Sequence, residues 1–377
     1  MYIVVTFGSN SSQFGVIWVF THIFLTDSIY THNYVKFILR NFPAEDHVFW
    51  TVKPDIYHDL SNAQIKKIDP EDLIDTFRLY RFARNSRKVI IHSLFYTKFY
   101  PVLFVQRSLL RKAVWIIWGA DLYSYLNSHI INKPKKFKLK VKAYMYKKIV
   151  QNLRWIGSLV KGDYDRLAEH IDTKAEWRHL FYPNPVDFDL LDKILENNSG
   201  RSESKIVLLN HSSRADGFHI EALNFLRNYV THNTKIICPL SYGNKDYAQY
   251  VIECGQEMYG ERFVPLTEFL NPQEYGKLLN SVDVAVFNHS YQAGLGNILA
   301  LLYLGKKVYI RSETSPWKML IDLGVKVFDT NCLTGGRETD FWYMSEEDRE
   351  NNRRIIRREF SEEKCAQLWR SFFEEGD

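Results

Sequence analysis

The run Trp115-Ile116-Ile117-Trp118-Gly119-Ala120-Asp121-Leu122-Tyr123 joins a bulky apolar segment, Val114 to Trp118, to a glycine, an aspartate and a tyrosine. The apolar stretch reads as a buried strand, and Gly119 lets the backbone turn where it ends. In open α/β sheets ligands gather beyond the carboxyl ends of strands, and Asp121 and Tyr123 fall there. A carboxylate in that place binds a hydroxyl group or takes its proton; the competing reading is an aspartate that caps the next helix. His92 ends the apolar run Lys88 to His92, and Asp27 and His32 follow the run Val16 to Phe24. The expectation is a cleft in which Asp121 and His92 supply the base while Asp27, His32 and Tyr123 hold the attacking alcohol. Against it stands the commoner fate of a single histidine, a hydrogen-bonded structural residue.

The second half of the chain carries anion chemistry. Asn288-His289-Ser290-Tyr291-Gln292-Ala293-Gly294-Leu295-Gly296-Asn297 follows an expected strand, Asp283 to Phe287, and leads into the apolar segment Ile298 to Leu304. Gly294 and Gly296 let backbone N–H groups approach a ligand, and the helix start adds the positive end of its dipole. A diphosphate suits that turn, with Gln292 and Asn297 beside it, although an ordinary strand-to-helix turn has the same pattern. The loop Asn210 to Asp216 offers Ser212, Ser213 and Arg214 to phosphate oxygens, or else caps the helix His219 to Tyr229. Tyr242, following the strand Lys235 to Pro239, can stack on a base or cover the sheet edge. Three successive strand-end loops rich in small or polar donors argue more strongly than any one of them.

Such loops need a frame, and the pattern supplies one. Short apolar runs (Val16 to Phe24, Val48 to Val52, Lys88 to His92, Val114 to Trp118, Ile156 to Val160) alternate with helical-period segments such as His32 to Arg40 and Pro70 to Arg84. Strands alternating with helices imply a parallel sheet with right-handed crossovers. Tyr182-Pro183-Asn184-Pro185 and the polar stretch Glu196 to Glu203 interrupt the pattern. It then restarts with Lys205 to Leu209, Lys235 to Pro239, Arg262 to Leu266, Asp283 to Phe287, Lys307 to Ile310 and Lys326 to Phe328. The expected fold is α/β with two Rossmann-like, doubly wound lobes facing a cleft: residues 1–185, residues 186–344, and a closing helix in 345–377 that packs back on the first lobe. Residues 1–12 read either as an additional strand or as a lead-in.

Length and composition set the outer bounds. With 377 residues, 46% of them hydrophobic and 25% charged, the chain has the balance of a globular protein with more than one core. The 23 tyrosines and 9 tryptophans suit sugar stacking, a membrane interface or a large core equally. Cys238, Cys254, Cys332 and Cys365 lack C-x-x-C pairing, which argues against a zinc site or disulfide framework and for a reducing compartment. No segment has the length of a membrane-spanning helix, and the amino terminus lacks the basic lead-in of a signal peptide. A cytoplasmic location is expected.

One segment suggests a surface. Lys133 to Lys148 holds eight lysines and no acid, with Phe137, Val141, Tyr144, Met145 and Ile149 at helical spacing. It reads as an amphipathic basic helix for anionic lipid, each lysine worth about 1 kcal/mol near the surface. A helix packed on its lobe with a solvated basic face is the plainer reading, and nucleic-acid binding the least favoured.

Taken together, these residues resemble the bacterial TDP-N-acetylfucosamine:lipid II N-acetylfucosaminyltransferases, the 4-alpha-L-fucosyltransferase family of enterobacterial common antigen synthesis. The resemblance runs from about Val16 to Phe328 and is sharpest at Ile117-Trp118-Gly119-Ala120-Asp121-Leu122-Tyr123. Asp27, His32, Asn33, His92, Tyr182-Pro183, Ser212, His219, Pro239, Tyr242, Gln292, Gly294, Gly296 and Pro316-Trp317 also match. Asn210-His211 stands where the family shows Gly-Asn, and Tyr291 where it shows a basic residue, so the departures fall in the donor half. The resemblance implies a GT-B transferase moving 4-acetamido-4,6-dideoxygalactose from a dTDP donor to a disaccharide on undecaprenyl diphosphate, peripheral on the inner membrane. It implies no metal and no cofactor, in keeping with the lack of a D-x-D pair in a suitable loop. Two alternatives stay open: a transferase using another dTDP- or UDP-sugar for O-antigen or capsule, and a non-catalytic sugar- or lipid-binding protein.

Overall fold

The computed structural model of the protein describes residues 19–127, 136–183, 186–197, 204–335 and 337–376. Residues 1–12, and the proposed start of the basic helix at Lys133, lie outside them.

The first lobe is built on a sheet of seven parallel strands: β1 (Phe20–Phe24), β2 (His47–Thr51), β3 (Gln64–Lys67), β4 (Lys88–His92), β5 (Ala113–Ile116), β6 (Trp155–Ser158) and β7 (Glu176–His179). Their order is β3-β2-β1-β4-β5-β6-β7. The second lobe has six: β8 (Lys205–Leu209), β9 (Thr234–Pro239), β10 (Phe263–Leu266), β11 (Val284–Phe287), β12 (Lys307–Ile310) and β13 (Phe328–Asp329), ordered β10-β9-β8-β11-β12-β13. Both orders reverse direction once, between β1 and β4 and between β8 and β11. Those reversals are the switch points at which crossovers diverge and leave a crevice. The loops after β1, β4, β8 and β11 therefore own the two places where a ligand fits.

The central strands are buried throughout because helices cover both sheet faces, and the polar residues they carry are buried with them. The edge strands β3 and β7, Gln-Ile-Lys-Lys and Glu-Trp-Arg-His, are mostly exposed and mostly half-buried respectively, and have no apolar run to betray them. The helices begin where local chemistry starts them. Ser28 and Thr31 form a capping box for Ile29–Asn41, and Asp72 caps Leu73–Arg84.

Two expectations need correction. The carboxyl-terminal segment is two helices, Glu346–Phe360 and Glu362–Glu374, because Ser361 ends the first and caps the second. The first buries Ile355, Ile356 and Phe360 in the second lobe; the other puts Cys365, Trp369, Phe372 and Phe373 against the first. The chain thus returns across the cleft. Its last turn is clamped by Lys88, a fully buried ammonium whose Nζ donates to the carbonyls of Phe372 and Glu375. The indole of Trp369 donates to Phe181 O at 2.9 Å. In the basic helix Phe137–Asn152 the buried stripe is Tyr146, Ile149 and Val150, whereas Phe137 and Tyr144 are exposed. No helix among the described residues is long and apolar enough to cross a membrane.

Trp369→Ala removes the largest side chain holding the returning helix. It is expected to cost about 3–5 kcal/mol of unfolding free energy, read as a lowered midpoint in urea denaturation.

Candidate active site

Asp121 is 3% exposed. Its carboxylate accepts N–H groups from Leu94, Trp118 and Leu122 and from the Trp115 indole, each at 3.0 Å. Burial pushes the carboxyl up to about 6, and the four donors pull it back down. A carboxylate so enclosed cannot reach a substrate. It ties the loops after β4 and β5 together, and the expectation of a catalytic base at 121 is corrected accordingly.

His92 is also a structural group. The Trp118 indole donates to the Tyr182 hydroxyl at 3.1 Å, which in turn contacts His92 Nδ1. His92 Nε2 lies 3.2 Å from His22 Nδ1, and His22 Nε2 lies 3.0 Å from His47 Nδ1. The indole N–H donates to the phenol, and with the phenol donating onward each imidazole carries its proton on Nε2. Burial holds His22 and His92 well below the usual histidine range and lowers His47 to about 3, so the line is neutral. His92 has no free nitrogen for catalysis.

Tyr123 is not open to an acceptor either. Its hydroxyl donates to Asp163 at 2.8 Å, and its ring meets Tyr291 of the second lobe at 5.3 Å. The lobes touch along this flank. A side chain added at Gly162 would stand 2.3 Å from Ser315 Cβ, and one at Gly119 (φ +80°) 3.1 Å from Gln292 Oε1.

Asp27 remains at the cleft. It follows β1 at the first switch point, is half-buried, and accepts the hydroxyls of Thr51 and Tyr57 at 2.6 Å and the Lys53 N–H at 3.0 Å. About four acceptor positions on a carboxylate leave one for a ligand. His32 sits one helical turn further on, with Nε2 2.7 Å from Asp59 and Nδ1 buried without a partner.

Facing them, the second lobe joins its strand-end loops into one surface. Ser213 accepts the Asn244 N–H through its carbonyl and donates its hydroxyl to Tyr242 O at 2.9 Å. Ser212 is buried, and Arg214 pairs with Asp216 at 3.0 Å while lying over the Tyr291 ring. Tyr242 is 46% exposed and stacks near Phe269, leaving an aromatic face to solvent. Burial raises its phenol, and Tyr30 of the first lobe adds to the shift from across the cleft. Gly294 (φ +64°) starts the Leu295–Tyr303 helix; Gly296 and Asn297 lie half-buried in its first turn, with Asn297 donating to the Tyr275 hydroxyl at 2.9 Å.

The site also holds residues not singled out above as ligands. Asn210-His211-Ser212 after β8 and Asn288-His289-Ser290 after β11 are the same tripeptide, side by side at the second switch point. Asn210 Oδ1 accepts the Asn288 N–H at 2.8 Å and Asn210 Nδ2 donates to Gly217 O at 2.9 Å. Asn288 Nδ2 donates to Glu221 at 2.8 Å, and Arg311 braces the pair. The duplicated tripeptide was the signal that could have found them. A cavity of about 920 Å³ lies elsewhere, at the amino ends of β8 and β11 among Lys193, Lys277 and Arg349, away from both switch points.

Asp121→Asn is expected to destabilise the fold by roughly 2–4 kcal/mol, since an amide offers one acceptor and brings a donor among N–H groups. Thermal unfolding should show the loss, with turnover per folded molecule kept. A base would give the reverse.

Comparison with known proteins agrees with this geometry. HepE of Anabaena, solved with UDP and glucose, superposes with a TM-score of 0.63 at 11% identity, covering 94% of this chain and 99% of that one. Sucrose-phosphate synthase from Thermosynechococcus elongatus gives 0.64 at 12% identity, covering 94% and 99%. A glycosyltransferase from Rickettsia africae gives 0.60 at 11% identity, covering 95% and 98%. At such identities the likeness speaks for the fold, which is the two-lobed GT-B arrangement. Residues 33–335 match the family described as 4-alpha-L-fucosyltransferase, glycosyl transferase group 56. The chain is a glycosyltransferase that belongs to this 4-alpha-L-fucosyltransferase family.

Proposed function

We propose that the chain moves a 4-acetamido-4,6-dideoxyhexose, of N-acetylfucosamine type, from a dTDP-sugar to an oligosaccharide on undecaprenyl diphosphate, in assembly of a surface polysaccharide such as enterobacterial common antigen. The observation that carries it is the pair of switch points, with a glycine-led helix start after β11 in one lobe and a half-buried Asp27 after β1 in the other, in a chain of this family. The diphosphate lies against Ser212, Arg214 and the Gly294–Asn297 turn, with Gln292 at its edge and the nucleobase on the Tyr242 face. Donors already aimed at the leaving group need not reorganise as its charge grows. No cofactor or metal is assigned. Asp27 receives the acceptor hydroxyl, with His32 nearby.

A lipid-linked acceptor places the enzyme at the inner face of a bilayer, and the first lobe has a surface for it. Lys136, Phe137, Lys138, Leu139 and Lys140 are all exposed, alternating charge with apolar bulk. Lys142 Nζ reaches Thr97 at 3.0 Å, and the neighbouring Lys98 pairs with Glu71. Leu73, Ile74 and Phe77 of the same lobe are exposed as well. Cations around apolar side chains suit anionic lipid better than nucleic acid.

The second reading keeps the architecture and changes the donor to another dTDP- or UDP-sugar for O-antigen or capsule. It is favoured by Asn210-His211 and Tyr291, where the donor lobe departs from the family pattern. Incubating the protein with a panel of dTDP- and UDP-sugars separates the two, and inertness toward every donor would favour a binding protein instead. Asp27→Asn is expected to lower transfer at least a hundredfold, about 3 kcal/mol of barrier, with nucleotide affinity within a few-fold. Replacing Lys136, Lys138 and Lys140 together by Gln should weaken sedimentation with phosphatidylglycerol vesicles roughly a hundredfold, at about 1 kcal/mol per lysine.

A further inference from the structure

The paired Asn-His-Ser loops hold three buried ring nitrogens with no partner: Nδ1 of His211 and both of His289. Unsatisfied buried polar atoms are rare because each costs its full desolvation, so a cluster of them at a switch point calls for a ligand. His289 is 2% exposed and its ring stands 4.6 Å from that of His211. His211 in turn packs under Gly294, where an added Cβ would lie 2.8 Å from its Nδ1. The imidazole pair thus forms the floor of the turn that opens the Leu295–Tyr303 helix. Paired imidazoles alone could suggest a metal, yet no group of three or more His, Cys, Asp or Glu among the described residues is placed to hold one.

We propose that the His211–His289 pair takes up one proton when a nucleoside diphosphate settles on the Gly294 turn, and so adds a positive charge beneath the leaving group. The proposal rests on the donor assignment made above. Without ligand the pair is neutral. Burial lowers His211 to about 4, with Arg214 pressing the same way and Asp216 opposing. Burial and then His211, His219 and Arg214 hold His289 well below the usual range. The other groups facing the pair are the Tyr242 and Tyr291 phenols and, beyond His219, that of Tyr247. Asp216 is the acid at hand, and it is already engaged by Arg214 and the Tyr291 hydroxyl. A diphosphate brings two negative charges to the helix start. One opposite charge in contact moves a pKa by roughly 1–3 units, so two carry an imidazole from near 4 to about neutrality or above.

The test is calorimetric titration with dTDP-glucose and UDP-glucose, whose diphosphate diesters have no group titrating near neutrality. Measurements in buffers of different ionisation enthalpy count the protons taken up. Binding with uptake approaching one proton, and affinity that falls as pH rises through neutrality, is the expected result. His211→Asn should abolish the uptake and weaken binding about tenfold. Binding without uptake would overturn the inference while leaving the donor site intact, as would uptake unchanged in both His211→Asn and His289→Asn. No binding of either sugar nucleotide would remove the donor assignment and this inference with it.

Discussion

Two asparagine side chains hold the second lobe of this enzyme in shape. Asn210 and Asn288 each leave the end of a central strand at the point where the sheet order reverses. Backbone hydrogen bonding is incomplete there, and the crevice would otherwise splay. Asn210 bonds to the backbone of its own loop and of the loop after β11, while Asn288 reaches back to the helix His219–Leu226 through Glu221. Both are fully buried, so these bonds are made in a low-dielectric setting where leaving one unmade is expensive. With the asparagines fixed, the histidines beside them have no freedom to turn outward, and the Gly294 turn closes over them. Everything assigned to the leaving group depends on that lacing.

The first lobe uses the same economy for a different purpose. Its most conspicuous polar groups, Asp121 and the line from Trp118 through Tyr182 and His92 to His22 and His47, are spent internally. They fix the loops after β4 and β5, which form the wall against which Gln292 and Tyr291 of the other lobe rest. The returning carboxyl-terminal helix completes the lobe from behind, with Lys88 meeting its last carbonyls. The lobes are therefore joined by packed contacts along the flank where Tyr123 meets Tyr291 and Gly119 approaches Gln292. Asp27 lies on the first lobe's side of the cleft between them.

Much of this was legible in the residue order. Alternation of apolar runs with helical segments, and the break near residue 183, imply two parallel-sheet lobes, which the strand orders bear out. The edge strands β3 and β7 were not legible, since an exposed edge needs no apolar run. Asp121 was misread for a physical reason. Two of its four donors, Leu94 and the Trp115 indole, reach it from another loop and from within the strand, so local spacing cannot tell a presented carboxylate from an enclosed one. His92 misled likewise, because its partners His22, His47 and Tyr182 are scattered along the chain and meet only across the sheet. The repeated Asn-His-Ser was visible, but its meaning needs the strand order that puts β8 beside β11.

The central claim is that a sugar nucleotide's diphosphate rests at the second switch point. A crystal structure of the protein soaked with dTDP or UDP tests it most directly. The account predicts phosphate oxygens within hydrogen-bond reach of the Gly294–Asn297 turn and of Ser212 or Arg214, with the base against Tyr242. Diphosphate density elsewhere, for instance in the cationic cavity at the amino ends of β8 and β11, would contradict it.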